Sequence, residues 1–376
     1  MRETIPLSSP DITELEISYV TQVLKTPNLS LGPKLVEFEA RMAQFIGVRH
    51  AVAVNSGTSA LHLIIRALGI KDGDEVITTP FSFISSANCI LFERAKPVFV
   101  DIDSLTLNFD VNRIEGKITG KTRAILAVDI FGYPVEWNRL EQIAKEHHLK
   151  LVEDSCEALG AEYKEKKLGT FGEAATFAFY PNKQMTTGEG GIIVTNNEEI
   201  AKLCRSMRNQ GRGDSDEWLA HERLGYNYRI SDINCALGIA QLERIEGILA
   251  KREQVAQMYN MRLKDWTEAR IPFSSPEVKR SWFVYVVTLA DRYSQENRDN
   301  VLQELRRRGI GCSNYFTPIH LQPFYVEMFG FKKGDFPVTE YISERTIALP
   351  FYNNLGEDEI DFVVRNLKEI VSNLRG

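Results

Sequence analysis

Phe179-Tyr180-Pro181-Asn182-Lys183-Gln184-Met185-Thr186-Thr187-Gly188-Glu189-Gly190-Gly191 is the stretch from which this fold is read. An apolar run over 174–180 leads into it, and a second run, Gly191-Ile192-Ile193-Val194-Thr195, follows at once. Apolar runs of this length bounded by Pro and Gly predict two short buried strands joined by a tight connection. An isolated lysine is usually a solvated surface charge, so an ammonium enclosed by two buried strands asks for an explanation.

Working outward, further short strands are predicted at 51–54, 75–79, 97–100, 123–128 and 149–153, making seven with the pair around Lys183. Helical spacing is found at 11–25, 33–46 and 138–147; the second of these ends at Gly47. Strands alternating with helices predict an α/β fold whose mostly parallel sheet is covered on both faces. In such sheets the ligand lies outside the carboxyl ends of the strands.

Several polar groups fall at those ends. Asp154 closes the apolar run Leu149-Lys150-Leu151-Val152-Glu153-Asp154, and a buried carboxylate demands a cation or hydrogen-bond donors. Glu157, three residues on, reaches toward the same cleft. The 51–54 strand runs into Asn55-Ser56-Gly57-Thr58-Ser59-Ala60 and an apolar helix. Gly57 permits close approach of an anion to the helix start, and Thr58 and Ser59 offer hydroxyls. An ordinary N-capped helix has the same pattern. Phe83 follows the 75–79 strand at the same edge, as a core ring or as one stacked on a flat ligand. Lysine, strand-end carboxylate, phosphate-type turn and aromatic together point to pyridoxal 5′-phosphate, held through a lysine Schiff base.

The chain resembles the sugar aminotransferases of the DegT/DnrJ/EryC1/StrS family, fold-type I pyridoxal-phosphate enzymes, over nearly its whole length. The resemblance rests on the 55–62 and 79–83 segments, on Glu153-Asp154-Ser155-Cys156-Glu157-Ala158 and on 179–191. Gly225-Tyr226-Asn227-Tyr228-Arg229-Ile230-Ser231-Asp232 completes it. It implies that Lys183 forms the internal aldimine and shuttles the proton, and that Asp154 pairs with the pyridinium nitrogen. Phe83 would stack on the ring, and Gly57, Thr58 and Ser59 would bind the phosphate. Asn227 would reach that phosphate from the neighbouring subunit, which implies a homodimer with shared active sites. Arg229 and His320 match motif positions near the substrate.

Two positions depart from the family pattern. A serine common five residues before the lysine is Ala178 here, and Thr186 or an ordered water is the expected replacement. The position three after the aspartate, often Gln or His, is Glu157; beside the cofactor O3′ it has to be protonated or hydrogen-bonded. Relatives resembling perosamine synthases share that glutamate, which hints at amination at sugar C4.

Past Asp232 a single long helix is expected through Ile233, Leu237, Ala240, Leu242 and Ile245 toward Met258. It leads into a smaller α+β domain with a strand at 283–289, a helix at 295–308 and an amphipathic terminal helix. The predicted divisions are an N-terminal segment 1–14, a cofactor-binding domain 15–250 and a small domain 251–376. The 209–217 stretch reads as a mobile loop at the active-site mouth.

A chain of 376 residues is long enough for two domains, and 43% hydrophobic with 26% charged residues is ordinary for a globular protein. A net charge of −6 gives no support for nucleic-acid or anionic-membrane binding. There is no signal-peptide core and no apolar run of the ~20 residues needed to span a bilayer. Five scattered cysteines without CxxC spacing argue for a reducing cytoplasm and against a disulfide framework or a metal site.

The expected reaction is transfer of an amino group from glutamate, through the pyridoxamine phosphate form, to a nucleotide-linked keto-deoxysugar. A keto-cyclitol or aminobenzoate-type precursor is the alternative substrate. A pyridoxal-phosphate-containing regulatory protein without turnover is the alternative of another class. Family dehydratases carry histidine at the lysine position, and Lys183 argues against them.

Overall fold

The computed structural model describes residues 4–213 and 220–374. Residues 214–217 of the expected mobile loop therefore lie outside the described residues. In chain order the first half contains α1 (Glu14–Leu24), α2 (Pro33–Ile46), β1 (His50–Val54), α3 (Gly57–Ala67), β2 (Glu75–Thr78) and α4 (Ser85–Phe92). Then come β3 (Lys96–Phe99), β4 (Thr122–Val128), α5 (Trp137–Glu146), β5 (Lys150–Asp154) and the hairpin strands β6 (Glu162–Tyr163) and β7 (Lys166–Lys167). β8 (Ala174–Ala178), β9 (Gly191–Thr195), α6 (Glu198–Arg208), α7 (Asp232–Glu243) and α8 (Ile245–Leu263) follow.

Seven of these strands form one sheet in the order β1-β9-β8-β5-β4-β2-β3, and only β9 runs antiparallel to its neighbours. Near-continuous apolar strands require cover on both faces. α3, α4 and α6 supply Leu61, Ile64, Ile90 and Ile200 to one core, and α5 supplies Trp137, Leu140 and Ile143 to the opposite one. A third core joins Phe38 and Met42 of α2 to Ile239 and Leu242 of α7.

The second part of the chain is built on β10 (Ala269–Arg270), β11 (Val278–Lys279), β12 (Tyr285–Leu289), α9 (Gln295–Arg307), α10 (Pro323–Phe329), α11 (Pro337–Ser343), β13 (Thr346–Leu349) and α12 (Glu357–Asn373). β10, β12 and β13 make a three-stranded antiparallel sheet, and β11 pairs instead with β6. α8, α9 and α12 cover the small sheet through Tyr259, Leu305 and Leu367.

The single helix expected from Ile233 to Met258 is two. Arg244, at φ −103° and ψ 4°, ends α7, and its guanidinium donates to Glu16 (2.6 Å) and Asp11 (3.0 Å). The break lets α7 lie against α1 and α2 while α8 turns away to carry the small sheet.

The two parts meet at Gly132, just past β4. Its φ of +75° and its carbonyl, which accepts from Ser281 N at 3.0 Å, leave no room for a side chain. A Cβ there would lie 1.6 Å from Ser281 O. Gly132→Ala is therefore expected to cost more than about 2 kcal/mol, through both backbone strain and overlap. Urea unfolding tests this, and an unchanged midpoint would show that the junction yields freely.

Candidate active site

The carboxyl ends of β1, β2, β4, β5 and β8 lie along one edge of the sheet, and the sequence-predicted residues follow them. Lys183 closes a four-residue turn, its N donating to Tyr180 O (2.9 Å), within the longer connection 179–190 between β8 and β9. That connection is closed by Phe179 N donating to Gly190 O (2.9 Å) and Thr187 N donating to Phe179 O (3.0 Å). Gln184 is buried and donates to Glu157 O (2.6 Å) and Ser281 Oγ (3.1 Å). Arg252, buried on α8, donates to Asn182 O (3.0 Å) and Lys183 O (3.2 Å). The lysine backbone is thus fixed from both parts of the chain.

The Lys183 side chain is 13% exposed, with Nζ 3.6 Å from Glu157 Oε1 and 3.8 Å from the centroid of the Phe283 ring. The first distance is longer than a hydrogen bond. Glu157 is held from its other oxygen by Phe131 N at 2.9 Å. Burial pushes the Glu157 carboxyl up, the Lys183 ammonium and the Phe131 amide pull it back, and the Asp154 charge adds to the rise. Phe131 has φ +51°, a left-handed backbone uncommon outside glycine, in the turn that presents this amide.

Asp154, 3% exposed at the end of β5, accepts from Ser86 Oγ at 2.7 Å, and Ser86 in turn meets Ser82 Oγ at 2.9 Å. Its other oxygen has the Cys156 amide at 3.3 Å. Behind it lie two more buried acids. Ser155 Oγ stands 2.6 Å from Asp129 Oδ2 and 2.9 Å from Glu153 Oε1. One hydroxyl carries one proton, so both contacts form only when one of the two acids keeps its own. Burial supplies the cause, raising Asp129 to about 7 and Glu153 well above the ordinary carboxyl range.

The turn after β1 is an N-capped helix start. Ser56 Oγ accepts from Ser59 N (3.1 Å), and Ser59 Oγ donates to Asn55 Oδ1 (2.7 Å). The hydroxyl and the amide of Ser59 are thus engaged within the turn, which leaves the amides of Gly57 and Thr58 as the uncapped donors of the helix N-terminus. A Cβ on Gly57 would lie 2.8 Å from Ala178 Cβ and 3.0 Å from Cys156 Sγ. Gly191 is equally constrained, since a Cβ there would lie 2.6 Å from Gly57 N. The replacement hydroxyl expected of Thr186 is not free: it is buried, donates to Phe179 O (3.0 Å) and accepts from Gly188 N (2.9 Å).

Phe83 is 59% exposed between the strand end and α4, beside the Ser82–Ser86 hydroxyl chain. Asn227 is exposed, with its carbonyl 3.5 Å from Asn55 Nδ2. Arg229 donates to Asn209 Oδ1 at 3.1 Å. His320 stands apart from the cleft surface. Its side chain is 0% exposed, lies 3.0 Å from Glu340 Oε1 and packs edge-on to Phe336; burial pulls its proton affinity down. Ser86, Phe131, Gln184, Arg252 and Phe283 were not anticipated. The Ser82–Ser86 spacing, one helical turn, was the signal available for the first.

These groups fit a phosphorylated pyridine aldehyde. Each Asp154 oxygen accepts one hydrogen bond and keeps a lone pair for a ring N–H, Lys183 presents an amine paired with Glu157 at 3.6 Å, and the Gly57 helix start offers backbone amides to an anion. Among the described residues, the one group of side chains spaced to hold a metal is Glu115, Glu146 and His147, on the surface.

Comparison with known proteins gives the same picture. The model of the DegT/DnrJ/EryC1/StrS aminotransferase family matches residues 10–368. The GDP-perosamine synthase of Caulobacter vibrioides is 36% identical over 369 residues, covering 98% of this chain and 98% of that one. The structure of Helicobacter pylori PseC, an aminotransferase of pseudoaminic acid biosynthesis, superposes with a TM-score of 0.94 at 30% identity. That match covers 99% of this chain and 100% of PseC. The pyridoxal-phosphate form of Streptococcus pneumoniae Spr1654, a putative sugar aminotransferase, superposes with a TM-score of 0.94 at 29% identity and 99% coverage of both chains.

The raised acids set the pH behaviour of the fold. A group that binds its proton more tightly folded than unfolded stabilises below its unfolded pKa, and that stability is lost as pH rises through the folded value. For Asp129 the window runs from about 4 to about 7. Glu153→Gln removes one of the paired acids while keeping the side chain's shape. Wild type should then lose stability relative to Glu153→Gln as pH rises across that window. A pH-independent difference in denaturation free energy would refute the shared proton.

Proposed function

The chain belongs to the DegT/DnrJ/EryC1/StrS aminotransferase family and is a pyridoxal-phosphate-dependent aminotransferase; from that premise we propose that it moves an amino group from glutamate to a nucleotide-linked keto-deoxysugar. The observation that carries this reading is the amine of Lys183, enclosed, paired with Glu157 at 3.6 Å and carried on a backbone that Arg252 fixes in place. The substrate class draws on the GDP-perosamine synthase relative.

The bound cofactor supplies an electron sink for the pair left when a proton is removed from carbon. The chain's own residues do the rest. Lys183 Nζ would take up the proton released from the amino donor's α carbon and hold it, and would return a proton to the acceptor's carbon in the second half-reaction. Asp154 holds the ring nitrogen protonated, and Ser86 orients that carboxylate. Gly57, Thr58 and their amides hold the phosphate, and Phe83 covers one ring face. Phe283 and the buried lysine connection exclude water from the amine.

The working unit is proposed to be a homodimer in the cytoplasm, a compartment that suits the free cysteines. Ile17, Leu24, Leu29, Leu31, Val36 and Leu224 are exposed apolar side chains. The 29–32 segment, which carries two of them, is bonded to Asp232, five residues beyond Asn227. These side chains are the proposed contacts of the second subunit. Asn227 then reaches the neighbour's cofactor phosphate.

Three measurements test the proposal. Glutamate should abolish the visible absorbance of the bound cofactor, and a panel of keto-sugar nucleotides and keto-cyclitols should restore it selectively. Lys183→Ala should lower turnover by at least about 1,000-fold, in keeping with loss of a group that both bonds and transfers a proton. Mixed dimers of Lys183→Ala and Asn227→Glu chains should regain activity that neither parent has. Normal turnover by Lys183→Ala would sink the lysine assignment, and mixed dimers as inactive as the parents would sink the shared site.

A further inference from the structure

Asn227 sits between two tyrosines whose rings are stacked at 4.9 Å and 10°. Tyr226 N donates to Met207 O (2.6 Å), Tyr228 N to Arg208 O (3.0 Å) and Asn55 N to Tyr228 O (3.0 Å), so the segment is extended and bonded to α6 and the phosphate turn. Alternate residues of an extended segment face opposite ways. Both tyrosines turn toward the protein and Asn227 alone is exposed between them.

What holds the tyrosines is a buried relay that neither the fold nor the proposed chemistry accounts for. His62, on α3, has Nδ1 3.1 Å from the Tyr228 hydroxyl and Nε2 2.8 Å from Glu93 Oε1. Its ring also lies 4.7 Å from that of Tyr226. Arg66 fixes Glu93 from the far side at 2.8 Å and lies over Tyr226 at 5.7 Å. An ionised carboxylate only accepts, so Nε2 carries the imidazole proton. Nδ1 of the neutral ring is then an acceptor, and the Tyr228 hydroxyl donates to it. Burial of His62, which lowers its proton affinity, keeps the ring in that neutral form.

We propose that the Glu93–His62–Tyr228 relay is a positioning device that aims Asn227 at the cofactor phosphate of the partner subunit. The proposal rests on the reading of Asn227 given above. α3 carries Gly57 and Thr58 at its first turn and His62 one turn later. One helix therefore presents the phosphate cradle of its own site and, through His62, orients the donor that serves the neighbouring site.

The experiment is the affinity of the apo dimer for pyridoxal 5′-phosphate, measured by fluorescence quenching at a concentration where the dimer is intact. Tyr228→Phe removes the hydroxyl and keeps the ring stack. Asn227→Ala and Tyr228→Phe should each weaken binding about fivefold, the scale of one hydrogen bond. The double variant should bind no more weakly than Asn227→Ala alone, and His62→Phe, which removes the acceptor Nδ1, should repeat the Tyr228→Phe effect. A Tyr228→Phe dimer that binds as wild type does, or effects that multiply in the double variant, would overturn the relay while leaving Asn227 in place. An Asn227→Ala dimer of wild-type affinity would overturn the Asn227 reading itself.

Discussion

Four carboxyl groups, Asp129, Glu153, Asp154 and Glu157, lie buried at the carboxyl edge of β4 and β5, and the manner of their compensation shapes the whole site. An uncompensated buried charge costs several kcal/mol, on the order of the stability of the whole fold. Among the described residues, Asp129, Glu153 and Asp154 are met by hydroxyls and N–H groups and by no Lys or Arg side chain. Ser86 serves Asp154, Ser155 is shared by the other two, Val135 N and Trp137 Nε1 serve Asp129, and Phe171 N serves Glu153. Glu157 takes the Phe131 amide. Neutral donors do the work that ion pairs would otherwise do. The consequence is chemical: the Lys183 ammonium finds its acid partner at this edge in Glu157, at 3.6 Å.

A nucleophile must also be held still, because a displaced reacting atom loses far more rate than a weakened contact does. The Lys183 connection has no helix or strand of its own, and its rigidity comes from neighbours in both parts of the chain. Gln184 joins it to Glu157 O and Ser281, and Arg252 joins it to α8. Ser281 is pinned in turn to Gly132, next to the residue whose amide fixes Glu157. Lysine and glutamate are thus set by one connected frame, and the left-handed backbone at Phe131 and Gly132 is where that frame turns.

The sheet was legible because its strands are apolar on both faces and short, which separates them from the helices by length and period alone. Lys183, Asp154 and Glu157 were legible because polar residues at the ends of buried strands are costly and few. The break at Arg244 was hidden: the apolar spacing runs on through it, and the acids that hold the guanidinium, Asp11 and Glu16, lie more than two hundred residues away in sequence. The burial of His320 was hidden for the same reason, since Glu340 and Phe336 belong to a later segment. Thr186 looked available only because its acceptor, the carbonyl of Phe179, comes from a loop closure that composition does not reveal.

The phosphate end of the site shows how a missing group redistributes its task. At the position where the sequence resemblance leads one to expect a serine hydroxyl, Ala178 presents a methyl that Gly57 just clears. Ser59 gives its proton to Asn55, and Thr186 gives its own to Phe179. On the proposed reading, the donors left to a phosphate from this chain are the amides of Gly57 and Thr58 and the hydroxyl of Thr58. A helix start carries roughly half a positive charge, against the near-double negative charge of a phosphate. A further donor from the partner subunit then carries more of the load than it would beside a serine at 178. That makes the orientation of Asn227 a matter of affinity, and it gives the buried histidine beneath its neighbouring tyrosine a physical purpose.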